Sequence, residues 1–185
     1  MIKILKFNEV KPEQIFARAE NAVNVETIVS EIIENVRSRG DKALFEYCEK
    51  FDGAKLDSLQ VTQEEINEAV VAVDPKFLEI LRRAAANIRK FHEQQVRRSF
   101  IINDEHGIVM GQKIIPIDRA GLYVPGGTAA YPSTVLMDSI PAKIAGCKEV
   151  VMVTPPSADG KINPVILAAA SIAGIDKIYK LGGAQ

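Results

Sequence analysis

The sequence predicts an α/β fold in three consecutive parts: a helical N-terminal region, a β-hairpin and a β-α-β-α-β unit. Apolar residues at helical spacing between residues 25 and 91 predict the first part. Two apolar triplets around a polar turn at residues 103–107 predict the hairpin. From residue 119 onward, short apolar runs rich in β-branched residues alternate with helical segments, which predicts a parallel sheet with right-handed crossovers.

The helical region begins after an N-terminal arm, residues 1–20, in which Pro12 can open a short helix. The first long helix is expected to end at Gly40, and a second to run from Asp41 to about Lys50. The apolar face of the first is formed by Val25, Ile28, Val29, Ile32, Ile33 and Val36.

Two further helices have clear start signals. Thr62 and Glu65 have the spacing of a capping box. Asp74 precedes a proline, the pattern of an N-cap followed by proline at N1, and the helix that it starts is expected to reach about Arg97. Its predicted apolar stripe consists of Phe77, Ile80, Leu81, Ala84, Ile88 and Phe91.

The β part is expected to begin with hairpin strands at residues 100–102 and 108–110. Another strand is predicted at 112–117, followed by a turn at 118–121 and a strand at 122–124. The β-α-β-α-β unit is completed by a helix at 133–145, a strand at 149–153, a helix at 165–173 and a strand at 178–181. The first of these helices is expected to be kinked or restarted at Pro141. Because a helix would be expected after the last strand, the sequence predicts an incomplete fold.

Composition narrows the class of protein. Hydrophobic residues make up 47% of the chain, which favours a packed core, and the formal net charge of −1 gives no electrostatic case for binding nucleic acid or an anionic membrane. No apolar run is long enough for a transmembrane helix, and the N-terminus lacks the pattern of a signal peptide, so a cytoplasmic location is expected.

The best candidate for a binding site is Pro125-Gly126-Gly127, which lies between a strand and a helix. Such a turn can bring backbone N–H groups close to a bound dinucleotide, or it can simply be a tight connection. Tyr123, at the carboxyl end of the preceding strand, could contact a base or ribose there, or it could be a packing residue.

The remaining chemistry-bearing residues favour structural interpretations. Cys147 could be a thiolate nucleophile, but no histidine neighbours it in sequence, and a buried structural cysteine is the favoured interpretation. Cys48 is expected in the core, His92 on a solvated helix face and His106 in a turn. No Cys/His set has the spacing of a zinc site, so no metal ligand is predicted.

The stretch from Asp118 to Pro156 closely resembles the histidinol dehydrogenase family. The resemblance is carried by Arg119-Ala-Gly-Leu-Tyr-Val-Pro-Gly-Gly127, Ser133-Thr-Val-Leu-Met137, Pro141-Ala-Lys-Ile-Ala-Gly-Cys147, Val151-Met-Val-Thr-Pro-Pro156 and Gly182-Gly-Ala-Gln185. The helical half is similar in layout, through Arg39-Gly-Asp41-Lys-Ala43-Leu and Phe51-Asp-Gly53.

The resemblance implies a zinc-dependent, homodimeric enzyme of histidine biosynthesis that oxidises L-histidinol through L-histidinal to L-histidine with two NAD+. Tyr123 and Gln185 match residues that contact NAD in the family. The family's zinc ligands and its Glu-His acid/base pair lie later in its chain. The resemblance therefore identifies this sequence as an N-terminal portion without catalytic residues or Zn2+ ligands, which we expect to be inactive alone.

The resemblance also implies a fold like that of aldehyde dehydrogenases. Residues 21–121 would then form the first half of a discontinuous domain, and residues 122–185 the first part of a second, Rossmann-like α/β domain. Two alternatives stay open at this point: a related dehydrogenase of the same family that acts on another small alcohol, and a non-catalytic α/β module that binds a nucleotide or a partner protein.

Overall fold

A computed structural model describes residues 4, 6, 9–13, 25–126 and 129–185. Most of the expected N-terminal arm and Gly127 of the candidate turn lie outside the described residues. Within them the elements follow the predicted order, helices first, then a hairpin, then alternating strands and helices.

The helical region contains α1 (Glu26–Arg39), α2 (Asp41–Tyr47), α3 (Gln63–Ala72) and α4 (Pro75–His92). Helix α2 continues into a π-helical turn at Cys48–Asp52, and α4 into a 3₁₀ turn at Glu93–Gln95. The prediction that the fourth helix reaches Arg97 is wrong by one turn. The chain tightens there, with Nδ1 of His92 2.6 Å from Oε1 of Gln95, and Val96 is already extended.

Both predicted helix starts are confirmed. The N–H of Glu65 donates to Oγ1 of Thr62 at 3.2 Å, and the N–H of Thr62 donates to Oε2 of Glu65 at 2.8 Å, which completes a capping box. Oδ1 of Asp74 accepts from the N–H of Lys76 at 2.7 Å, so that the first turn of α4 has its expected cap.

Two predicted apolar faces are only partly buried. In α4 the buried side chains are Leu78, Leu81 and Ala85, whereas Phe77, Ile80 and Phe91 of the predicted stripe are exposed. In α1, Ile32 is the only residue of the predicted face that is buried in the described structure. The periodicity correctly indicates helices, but which part of the stripe is covered depends on the partners that pack against it.

The hairpin pairs β1 (Phe100–Asn103) with β2 (Val109–Gln112) in antiparallel register, Phe100 opposite Gln112. The strand predicted at 112–117 is wrong: within the described residues, 113–118 join no ladder. The N–H of Ile114 donates instead to Oγ of Ser99 at 2.8 Å, and Pro116 has no N–H to give a neighbouring strand.

The parallel sheet consists of β3 (Arg119–Tyr123), β4 (Glu149–Thr154) and β5 (Lys177–Lys180), in the order β3-β4-β5. The crossovers are α5 (Pro132–Ala145) and α6 (Pro164–Ala173). The turn predicted at 118–121 is wrong because these residues pair with β4 from Arg119 onward. Helix α5 is also continuous through Pro141 rather than restarted there.

One face of the sheet is covered and the other is open. Val150, Met152 and Ile178 are buried, and α5 and α6 pack against each other and share a core with these residues. Helices α3 and α4 pack on α5 and α6 from outside. The opposite face carries alternate residues of each strand, Gly121 and Tyr123 among them, and is partly exposed.

Both halves of the chain contribute to the main core. Val61 and Leu81 pack in one cluster with Val135, Met152 and Ile178. The 59–61 segment also lies antiparallel to β5, where the N–H of Val61 donates to the carbonyl of Ile178 at 2.9 Å. The division into domains at residues 121 and 122 stays a prediction. Among the described helices, none is long and apolar enough to cross a membrane.

Candidate functional site

The carboxyl ends of the three parallel strands meet at one edge of the sheet. The loop after β3 begins alongside β4, where the N–H of Val124 donates to the carbonyl of Val153 at 3.0 Å. The loop after β5 does the same from the other side, where the N–H of Leu181 donates to the carbonyl of Thr154 at 3.1 Å. This edge is where open α/β sheets bind their ligands.

Tyr123 is the last residue of β3, and its side chain is 47% exposed on the open face of the sheet. Its phenol ring lies against the backbone of Gly183, in the loop after β5. A Cβ at position 183 would stand only 3.3 Å from Oη of Tyr123 and 3.4 Å from its Cζ. Because the ring is half-exposed rather than in the core, it is available to a ligand at this edge.

Gln185 lies in the same loop, folded back on Gly182. A Cβ at position 182 would be 2.9 Å from Nε2 of Gln185. This Nε2 is buried and has no hydrogen-bond partner among the described residues. A buried amide N–H₂ without an acceptor is costly, and a bound ligand with an acceptor group would remove that cost.

The tertiary structure therefore brings Tyr123 against Gly183, a residue far along the sequence that lies in the same short loop as Gln185. The loop after β5 crosses the end of β4 to reach Tyr123, through the contact at Gly183. The result is a patch with an aromatic ring and a phenol hydroxyl, beside a loop in which the amide nitrogen of Gln185 is buried without a partner among the described residues. Such a patch can bind a planar or hydroxyl-rich group.

The turn of the candidate motif packs tightly on the loop after β4. A Cβ at Gly126 would lie 2.6 Å from Cγ and 3.2 Å from the carbonyl oxygen of Pro155. Glycine at 126 is thus required by contact with Pro155. Pro125 and Gly126 also line a cavity at the same edge, so this turn is tightly packed on one side and faces the cavity on the other. Gly127 lies outside the described residues.

That cavity has a volume of about 390 Å³ and lies between the loops that follow β3 and β4. Its lining is mixed: apolar side chains, among them Pro125, Ala129, Pro155, Pro156, Ile162 and Ile166, alternate with the polar residues Asp52, Thr154, Ser157 and Asn163. Asp52, at the end of the π-helical turn, is the ionisable residue in its lining. Oδ2 of Asp52 is buried and has no partner among the described residues, and burial raises the pKa of this carboxyl group.

No sequence pattern indicated Asp52 as a site residue. It stands more than 70 positions before Pro125, so that no spacing relates the two. The signal in the sequence that could have indicated Asp52 was the segment Phe51-Asp-Gly53, which is part of the family resemblance. Its carboxylate had no evident role at the end of a helix.

Both cysteines and His106 have the structural settings that the sequence predicts, whereas His92, predicted on a solvated face, is half-buried and bonded to Gln95. Cys48 is fully buried, its Sγ–H donates to the carbonyl of Lys180 at 3.3 Å, and burial with the nearby Asp52 raises the thiol pKa to about 11. Cys147 is buried, and His106 is exposed in the hairpin turn. The part of the chain that the structure describes contains no group of three or more His, Cys, Asp or Glu residues able to hold a metal ion.

Several known proteins with similar sequences share one description. The family model for histidinol dehydrogenase matches residues 16–185. A histidinol dehydrogenase of Geobacillus kaustophilus is 57% identical over 157 residues, which cover 85% of this chain and 37% of the relative. One of Heliobacterium mobile is 45% identical over 188 residues, covering 100% of this chain and 44% of the relative.

The fold is similar too. A crystal structure of histidinol dehydrogenase from Elizabethkingia anophelis superposes with a TM-score of 0.87 at 40% identity, over 91% of this chain and 39% of that one. The chain thus spans about two fifths of the length of these relatives, as expected for the portion that the sequence analysis predicts. Since the family match extends over nearly all of the sequence, the chain belongs to the histidinol dehydrogenase family of oxidoreductases.

Proposed function

We propose that this chain forms the first NAD-binding part of a histidinol dehydrogenase, a homodimeric zinc enzyme that oxidises L-histidinol through L-histidinal to L-histidine. The observation that carries the proposal is the contact across the end of β4, which places Tyr123 beside the loop of Gln185. These are the two residues for which the family resemblance predicts contact with NAD.

The residues at this edge fit a dinucleotide. Nε2 of Gln185 is a buried donor that lacks an acceptor among the described residues, and a nucleotide offers many acceptors. The ring of Tyr123 offers a surface for stacking and a hydroxyl group for a hydrogen bond. Gly183 lets the backbone approach that ring closely. NAD, when bound, supplies the hydride acceptor.

The described residues do not fit the zinc ion that the family resemblance implies. His92 and His106 are far apart in sequence, one bonded to Gln95 and the other in the hairpin turn, and the described residues offer no metal-binding group around either. Alcohol oxidation also needs a base for the hydroxyl proton. In this proposal the chain binds and orients the cofactor, and the metal ligands and the base come from the rest of a family-length protein.

The test is an assay of a family-length protein that carries these residues, with L-histidinol and NAD+ as substrates and NADH absorbance as the readout. We expect two NADH per histidinol, because an alcohol becomes a carboxylate in two hydride transfers. A protein that binds NAD+ but oxidises another small alcohol in preference would refute the substrate. One that binds no NAD+ would refute the whole proposal.

A further inference from the structure

Lys180, the last residue of β5, has each of its polar groups bound by the helical region. Its N–H donates to the carbonyl of Leu59 at 2.8 Å, and its carbonyl accepts from the Sγ–H of Cys48 at 3.3 Å. Its Nζ donates to Oε1 of Glu65, on α3, at 2.5 Å. These three partners come from separate segments far from β5 in sequence, so the carboxyl end of the strand is held at three points.

The ion pair of Lys180 and Glu65 is built into the interior. Lys180 is only 8% exposed, and a buried ammonium group is tolerated only where it is paired and hydrogen-bonded. The carboxylate of Glu65 is itself fixed, because its second oxygen accepts from the N–H of Thr62 at 2.8 Å. The pair therefore joins the first turn of α3 to the end of β5.

The loop that follows Lys180 leads to Gln185, one of the two residues proposed to contact NAD. Leu181 is bound to β4, where its N–H donates to the carbonyl of Thr154 at 3.1 Å. Beyond it, the backbone groups of residues 182–185 form no hydrogen bond with the backbone of other described residues. The loop is thus hydrogen-bonded to the rest of the protein at its base, and a displacement of Lys180 would be passed on to it.

The position of Lys180 separates it from the cofactor patch itself. It follows Ile178 by two residues and therefore lies on the same, helix-covered face of the sheet. Tyr123 lies on the opposite, open face. Any effect of Lys180 on a ligand at Tyr123 must then be exerted through the loop rather than by contact.

We infer that Lys180, held by Glu65, is a positioning residue for the cofactor, which fixes the loop of Gln185 relative to Tyr123. The inference rests on the proposed function and adds to it a role for α3, whose Glu65 would influence cofactor affinity from outside the binding site.

The test uses a family-length protein that carries these residues and measures NAD+ binding by calorimetry, which reports the dissociation constant separately from the number of competent sites. Glu65→Gln should raise the dissociation constant by about threefold to tenfold, because a small misplacement of a binding group loses much of its contact energy. Lys180→Met should raise it by a similar factor. This variant removes the buried charge together with its need for a partner, so it should remain folded.

Asp176→Asn is the matched control. Asp176 precedes β5 at its amino end, where Oδ2 accepts from Nζ of Lys143 at 2.5 Å and from the N–H of Val150 at 2.6 Å. Its replacement should lower the melting temperature, as Glu65→Gln does, because both remove a charged partner at an end of β5. The NAD+ dissociation constant should stay within about twofold of the native value, because distant sites act independently.

The outcomes separate this inference from the proposed function. If the native protein binds NAD+ and both Glu65→Gln and Lys180→Met bind it equally well, the inference is overturned and the proposed function stands. The same holds if Asp176→Asn raises the dissociation constant as much as they do, since that would show a general effect of stability. If Glu65→Gln does not fold, the constant of Lys180→Met decides. If the native protein binds no NAD+, both are overturned.

Discussion

Gly183 lies directly against the phenol ring of Tyr123, although Tyr123 ends β3 and Gly183 follows β5, on the other side of β4. A Cβ at Gly183 would be 3.3 Å from Oη and 3.4 Å from Cζ of the ring, closer than side chains normally pack. The backbone at 183 has no left-handed φ that would itself demand glycine. The contact with Tyr123 is therefore the reason that glycine is suited to this position.

Gly183→Ala in a family-length protein should displace the Tyr123 ring by a few tenths of an ångström and weaken cofactor binding. We expect the apparent NAD+ constant to rise by about threefold to tenfold, because a small misplacement of a binding group loses much of its contact energy. Steady-state kinetics with NAD+ as the varied substrate measures this. Gly121→Ala is the control, since a Cβ there meets no atom within 4 Å. Equal effects of the two variants would contradict the prediction.

Tyr123→Ala should impair NAD binding in a family-length protein and leave its thermal stability almost unchanged, because the side chain is 47% exposed. Loss of one stacking or hydroxyl contact should cost about 1–2 kcal/mol, or roughly fivefold to thirtyfold in affinity. Tyr123→Phe separates the ring from the hydroxyl: little effect indicates stacking, and most of the loss indicates a hydrogen bond. Unfolding of Tyr123→Ala, with cofactor affinity intact in the remaining folded protein, would instead show that Tyr123 is a packing residue.

The 185-residue chain by itself should show no oxidation of L-histidinol. Its described residues contain no group able to hold a metal ion, and the family resemblance places the acid/base pair later in the family's chain. An assay of NADH formation with L-histidinol, NAD+ and Zn2+ tests this against a family-length control. Turnover at a few per cent of the control would be enough to refute the prediction.

Cys48 should resist thiol reagents in the folded chain. Its thiol is fully buried, donates to the carbonyl of Lys180, and has a pKa raised to about 11 by burial and by Asp52. Because the folded pKa is above the unfolded value, this contribution to stability is present below about pH 9 and is lost as the pH rises through 11. Ellman's reagent at pH 8 should label Cys48 only after denaturant is added, as followed by peptide mass spectrometry. Rapid labelling without denaturant would contradict the buried position.

Glu65 should stabilise the fold through Lys180. Its Oε1 lies 2.5 Å from Nζ of Lys180, a residue that is buried on β5. Burial alone would raise the pKa of Glu65, but hydrogen bonds from Lys180 and from the Thr62 N–H outweigh it and lower the pKa. The stabilisation is therefore present above pH 4.5 and lost as the pH falls through the lowered pKa.

Glu65→Gln should accordingly lower the free energy of unfolding by about 1–3 kcal/mol at pH 7, because it leaves a buried ammonium without its counter-charge. Urea denaturation at pH 7 and again near pH 3 measures the effect, which should shrink at the lower pH. Glu64→Gln, on the exposed side of the same helical turn, is the control. An unchanged stability of Glu65→Gln at pH 7 would contradict the role of the ion pair.

Elements with local causes could be predicted from the sequence. The capping box of Thr62 and Glu65 and the proline after Asp74 start their helices with hydrogen bonds inside a single turn, so that the pattern is visible in a few residues. The alternation of apolar strands and helices after residue 119 was enough to predict the parallel unit, and the motif around Tyr123 was enough to indicate the family.

Which distant residues contact each other could be seen only in the folded chain. The strand predicted at 112–117 failed because a β-ladder depends on a partner, and Ile114 bonds to Ser99 instead. The exposure of Phe77 and Phe91 depends on where neighbouring helices lie. Likewise, Asp52 reaches the cavity that Pro125 lines, and Gly183 reaches the ring of Tyr123. No sequence spacing encodes these contacts, because long-range contacts arise from the packing of the whole core.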